Sequence, residues 1–170
     1  ENLTPAIEFI CGQAGIELGE IGLVAVDVGP GLFTGLRVGV ATAKAIAFGL
    51  RVPMIGVSSL DLLAFPVRFS NRLIVTAIDA RRGELYYAFY RQVPGGVQRL
   101  GEHQIGSPDD LASQLLASPD EILLVGDGAN RYAEAFEGLA KVELVAHDHC
   151  HPSAESLVQH AHARALREEF

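Results

Sequence analysis

The residues with the most evident chemistry are a glycine-rich turn and three aspartates. Gly29-Pro30-Gly31-Leu32-Phe33-Thr34-Gly35-Leu36-Arg37 follows an apolar run and leads into a helical pattern. Such a turn lets backbone N–H groups and a helix N-terminus approach an anion. It is not a P-loop, because no Lys-Ser or Lys-Thr follows the second glycine. It also departs from the dinucleotide fingerprint, because Thr34 stands where the third glycine belongs. A structural turn, with glycines in backbone conformations that other residues resist, explains the same residues. Asp27, Asp79 and Asp127 fall at or near predicted strand ends, but Ala80-Arg81-Arg82 follows Asp79 where a phosphate site would have a small, glycine-rich turn.

Other reactive residues carry less. His147-Asp148-His149-Cys150-His151 would put three histidines on one face of an extended segment. Pro152 disfavours the helix that would make His147 and His151 an i,i+4 ligand pair, and a polar surface loop accounts for the run as well. His160 and His162 are expected to be solvated. Gly56-Val57-Ser58-Ser59-Leu60 lacks the final glycine of a nucleophile elbow. Cys11 borders an apolar helix stripe, where a structural thiol is expected.

The elements that must position these residues follow from periodicity. Leu3, Ala6, Ile7, Ile10 and Ala14 predict a helix over 3–14, opened by Thr4-Pro5 and stopped by Gly15. Buried strands are predicted over 23–28 and 52–57, a second helix over 34–48, and a short helix capped by Ser58 or Ser59 and running to Ala64. From Arg72 onward, strands are expected over 73–78, 84–90 and 99–105, with 79–83 as a hairpin loop. Ser107-Pro108-Asp109-Asp110 starts a helix to Ala117. Strand 122–125, helix 130–137, strand 142–145 and helix 153–167 complete the order.

The later part therefore reads βββαβαβα and the earlier part αβαβα, which is the same string without its three leading strands. Val24 to Val28 before Gly29-x-Gly31 mirrors Leu123 to Val125 before Gly126-x-Gly128. This duplication predicts an α/β protein of two ribonuclease H-like domains in the actin-like ATPase and sugar kinase superfold. The expected subdomains are 1–66, lacking its leading strands, and 67–170. The superfold commonly places metal and phosphate ligands at strand ends, so a small-molecule kinase or ATPase is the alternative reading for Asp27, Asp79 and Asp127. The only methionine is Met54, and the chain reads as a processed or incompletely represented one.

Composition bounds the partners. The 170 residues carry 13 Lys and Arg against 21 Asp and Glu, a formal charge of -8, which disfavours non-specific capture of RNA or an anionic membrane. Two cysteines allow at most one bridge and fit a reducing cytoplasm. The apolar run 35–50 holds Arg37 and Lys44 and falls short of the roughly 18 residues of a span, so neither a membrane helix nor a signal peptide is predicted. Nearly all faces of this second helix are apolar, which predicts burial on two sides or a partner, and Phe9 lies off the main stripe of the first helix as a partner-facing anchor would.

Gly29-Pro30-Gly31-Leu32-Phe33-Thr34-Gly35-Leu36-Arg37-Val38-Gly39, Ile55-Gly56-Val57-Ser58-Ser59-Leu60 and Ala77-Ile78-Asp79-Ala80-Arg81-Arg82-Gly83-Glu84-Leu85-Tyr86 closely resemble the TsaB (YeaZ) family. The likeness is specific over 3–90 and topological beyond. It implies a non-catalytic scaffold, cytoplasmic, that forms a heterodimer with the catalytic TsaD subunit to make threonylcarbamoyladenosine beside the tRNA anticodon. It further implies TsaE, an ATPase, in a larger complex, TsaC as maker of the threonylcarbamoyl-adenylate donor, and contact with tRNA only through the complex. The first two helices would dock on TsaD in a helical bundle, with Phe9, Ile10, Val38, Ala41, Thr42, Ala45 and Phe48 assigned to the interface by face. The same surface would serve a homodimer when TsaD is absent. No catalytic residue, catalytic cofactor or metal site is expected, since the first helix has no H-x-x-x-H; a nucleotide at the partner interface is left open. The family's three opening strands and its usual C-terminal end are expected to lie outside this chain.

Overall fold

The computed structural model describes residues 3–145 and 150–169. Helix α1 (Leu3–Ala14) is followed by strand β1 (Val24–Asp27), helix α2 (Phe33–Leu50), strand β2 (Met54–Val57) and the short helix α3 (Ser59–Ala64). β1 and β2 pair in parallel, with Val24 opposite Met54 and Asp27 opposite Val57. The Ser58 hydroxyl caps α3 by accepting the Leu60 N–H, as expected for a serine just before an apolar turn.

The larger sheet contains β3 (Leu73–Arg81), β4 (Glu84–Val93), β5 (Gly96–Arg99), β6 (Gln104–Gly106), β7 (Ile122–Val125) and β8 (Val142–Leu144). Its order is β5-β4-β3-β7-β8, with β6 also on β4. The first three strands are antiparallel and the last two join in parallel, a mixed α/β sheet of the kind expected for the later part. Helix α4 (Pro108–Ala117) precedes β7, α5 (Asp127–Arg131) follows it, and α6 (Ala154–Ala165) comes last. A capping box between Ser107 and Asp110 starts α4, and the Ser153 hydroxyl caps α6.

Four local expectations are corrected. The hairpin loop is shorter than 79–83: the strands run on to Arg81 and Glu84, with a bulge between Asp79 and Arg81, and Arg82 and Gly83 turn the chain at φ 54° and 80°. The third strand is two short ones, because Gly101 at φ 83° breaks the run after Arg99. The helix predicted over 130–137 is α5 plus a 3₁₀ turn (Ala133–Phe136), interrupted at Tyr132. α2 is longer than predicted at 18 residues, which makes it long and apolar enough to cross a membrane by length and composition alone; here Ala43 and Ala47 are its buried residues.

Packing crosses between the two sheets. Leu60, Leu63 and Ala64 of α3 pack on Ile74, Ala88 and Val125 of the larger sheet. Leu62 of the same helix joins Ile55, Val57 and Ala161, so α3 is shared by both cores. α6, which the division at Pro66 assigns to the later part, lies on β1 and β2, and Arg164 donates to the Gly56 carbonyl at 2.9 Å. His160 of α6, expected in solvent, is half-buried with its ring 5.5 Å from that of Phe65. The opposite face of the larger sheet is covered by Leu111, Leu115, Ala129 and Phe136.

Candidate partner interface and cleft

The glycine-rich turn is held from inside. Asp27 Oδ1 accepts the Gly29 N–H at 2.8 Å and the Ser59 hydroxyl at 2.6 Å, while the Ser59 N–H donates to the Gly29 carbonyl at 2.9 Å. Gly29 sits at φ 92°, and a Cβ there would stand 2.7 Å from Leu36 Cδ1. A Cβ on Gly56 would meet Val28 Cγ1 at 2.8 Å, so glycine allows β2 to approach the end of β1. These bonds fix where α2 begins. Beyond the turn, Leu32 and Phe33 are exposed, and the Arg37 guanidinium lies 4.0 Å above the Phe33 ring, a cation–π contact that also covers part of its face.

α2 presents an apolar stripe to solvent. Val38, Ala41, Ala45 and Phe48 are exposed at successive spacings of three, four and three, with Phe48 at 87%. Thr42 is half-buried at the edge of this stripe. A shallow depression of about 350 Å³ beside it is lined by Leu36, Arg37, Val40, Ala41 and Lys44. α1 has no buried residue; Phe9 and Ile10 are 66% and 63% exposed, while Ile7 and Cys11 are half-buried. The structure thus leaves uncovered all of the residues assigned to the interface by face except Thr42. Leu32 and Phe33 add exposed apolar area that the helical periodicity did not single out, because both precede or open the helix.

A second feature is a cleft of about 480 Å³ that brings Asp27, Gly31 and Ser59 to one wall and Asp79, Arg81 and Asp127 to the other. The Asp79 side chain is only 4% exposed, with the guanidinium groups of Arg81 and Arg131 at 3.4 and 3.5 Å. It also accepts the Arg81 N–H at 2.9 Å, and Asp127 Oδ1 accepts the Asp79 N–H at 3.3 Å. Gly126 and Gly128 make this possible: a Cβ on Gly126 would lie 2.2 Å from the Ala77 carbonyl oxygen, and one on Gly128 2.8 Å from the Asp79 nitrogen. The three strand-end aspartates are therefore engaged within the protein, and Arg81 stands where an entering phosphate would need open backbone. Glu84 is exposed beside Arg81 at the hairpin end. Pro30 and His151 also line the cleft, Cys150 is buried, and Thr34 and Gly35 open α2 in solvent. His147, Asp148 and His149 lie outside the described residues. Among the described residues, no group of three or more His, Cys, Asp or Glu is arranged to hold a metal ion.

Residues 1–168 match the family described as TsaD: tRNA N6-adenosine threonylcarbamoyltransferase. The chain belongs to this family. Within the TsaD family its similarity is to the TsaB (YeaZ) proteins, as the motifs indicated. It is 33% identical over 131 residues to the tRNA threonylcarbamoyladenosine biosynthesis protein TsaB of Escherichia coli (strain K12), a match spanning 75% of this chain and 57% of that protein. An uncharacterized protein of Mycobacterium leprae (strain TN) is 42% identical over 130 residues, 74% of this chain and 34% of that protein. YeaZ from Pseudomonas aeruginosa superposes with a TM-score of 0.81 at 28% identity, covering 99% of this chain and 78% of the other. The chain thus spans between a third and three fifths of the length of these two curated relatives.

Proposed function

We propose that this chain is a non-catalytic scaffold and activator subunit that pairs with TsaD for threonylcarbamoylation of the adenosine next to the tRNA anticodon. The observation that carries the reading is the uncovered Val38, Ala41, Ala45 and Phe48 stripe on α2, in a chain of the TsaD family. A helix with one face on β1 and an apolar face in water gains free energy when a second apolar helix covers it, at about 25 cal/mol per Å² removed from water. The E. coli relative's name places that protein in threonylcarbamoyladenosine biosynthesis, which supports the same pathway here. In this reading TsaE joins the larger complex, TsaC supplies the donor, and the negative charge leaves tRNA binding to the partners. The protein works in the cytoplasm without membrane attachment, and pairs with itself through the same helices when TsaD is absent. A nucleotide, where present, sits at the partner interface and not as this chain's catalytic cofactor.

The cleft favours a second reading, a small-molecule kinase or ATPase, since it gathers Asp27, Asp79 and Asp127. The engagement of Asp79 by Arg81 and Arg131 weighs against it. Reconstitution separates the two. Threonylcarbamoyladenosine formation by TsaC, TsaD and TsaE on tRNA should require the full-length protein, which alone should not turn over ATP. Modification that proceeds equally without it, or ATP turnover by the protein alone that is lost on Asp79→Asn, contradicts the scaffold.

A further inference from the structure

We propose that His103, Arg99 and Asp61 form an acid-released latch that holds segment 100–103, between β5 and β6, against the N-terminal end of α3. The segment leaves the sheet at Arg99 and rejoins it at Gln104, with Gly101 turning the chain at φ 83°. Its backbone is held at Leu100, whose N–H donates to the Phe89 carbonyl at 2.7 Å. At the other end the hold is made by side chains: His103 Nε2 lies 3.4 Å from the Ser58 hydroxyl and in contact with the Arg99 guanidinium.

The protonation state follows from the donors. A guanidinium has only N–H donors, so the imidazole nitrogen facing it must offer a lone pair. His103 can accept there only as the neutral imidazole with its proton on Nδ1. The Ser58 oxygen accepts the Leu60 N–H at 3.2 Å and packs beside Nε2, whose single lone pair is taken by Arg99. Arg99 in turn reaches Asp61 Oδ1 at 3.4 Å, and that oxygen accepts the Tyr90 hydroxyl at 2.7 Å. The charged and titratable groups around His103 are thus Asp61 from α3, Arg99 from β5, Glu102 from its own segment and, through Asp61, Tyr90 from β4 and His160 from α6. Partial desolvation and Arg99 hold the imidazole below the ordinary histidine value, against the opposing pull of Asp61 and Glu102, although His103 as a residue is exposed.

Protonation puts an N–H on Nε2 facing a guanidinium, so the contact is present in neutral solution and lost as pH falls through the folded-state pKa of His103. β6 follows the segment directly, and its Ile105 pairs with Tyr86 on the wall of the cleft. The residue after Ser58 is Ser59, which holds Asp27, so the latch adjoins the anchor of the glycine turn.

The test is a histidine NMR titration of the full-length protein with hydrogen exchange read at pH values on either side of the His103 midpoint. His103 should titrate below the ordinary histidine value, and the amides of Ser58, Ser59, Leu60 and 100–104 should shift with the same midpoint. Exchange at Leu100, whose amide donates to Phe89, should rise on the acid side while β3 stays protected. In His103→Gln, whose carboxamide oxygen accepts from Arg99 without titrating, the neutral protection should remain and the acid opening should vanish. A His103 that titrates at the ordinary value with no coupled amide shift overturns the latch, as does His103→Gln opening at the wild-type midpoint.

Discussion

Ser59 donates its hydroxyl to Asp27 Oδ1 at 2.6 Å, and the same carboxylate oxygen receives the Gly29 N–H at 2.8 Å. One side chain from the end of β1 thus ties α3, shared by both cores, to the turn that launches α2. Ser59→Ala removes one donor from a half-buried carboxylate, and a hydrogen bond to a charged group contributes about 1.5–3 kcal/mol. The urea midpoint should fall accordingly; an unchanged midpoint would show that the bond contributes nothing to the position of the turn.

Gly126 and Gly138 both have positive φ, 124° and 80°, but differ in surroundings. Alanine at Gly138 has open space and should cost about 1–2 kcal/mol for the left-handed backbone. Alanine at Gly126 would drive its Cβ to 2.2 Å from the Ala77 carbonyl oxygen, so a loss above about 4 kcal/mol, or failure to fold, is expected. Equal losses in the two variants, measured by denaturation, would mean that α5 does not need its close seat on β3.

His160 gives a pH dependence of defined sign. Burial against Phe65 holds its pKa below the ordinary histidine value, with Asp61 opposing and Arg164 and Arg167 reinforcing. Between the lowered folded value and the ordinary one, the unfolded chain binds more protons, so stability rises with pH. The contribution is full above the ordinary value and is lost as pH falls through that window. His160→Gln should flatten this part of the urea midpoint against pH, and among the described residues His103, lowered by partial burial as well, contributes to the slope that remains. A wild-type slope in the variant would contradict the assignment.

Much of the fold was legible because the signals are local. Leu3–Ala14, Pro108–Ala117 and Ile122–Val125 carry their own periodicity, proline and stop residues, and the sequence boundaries agree with the structure. The break between β5 and β6 turns on one left-handed glycine within a polar stretch, and a single glycine does not distinguish a bulge from an ending. The seat of α6 on β1 and β2 joins residues about a hundred positions apart, as in the Arg164 bond to Gly56, and periodicity says nothing of such distances. At the site, the three-four-three spacing of Val38, Ala41, Ala45 and Phe48 was readable on a helix. The neutralisation of Asp79 by Arg131, from another element, was not.

The most direct test of the docking face is size-exclusion with light scattering on the full-length protein and TsaD, with and without Ala45→Arg. Ala45 is exposed, so the arginine should leave the fold and its urea midpoint within about 0.5 kcal/mol of the parent. The parent should form a 1:1 complex that displaces any homodimer, and Ala45→Arg should elute free of TsaD. A folded Ala45→Arg that still forms the complex would contradict docking through α2.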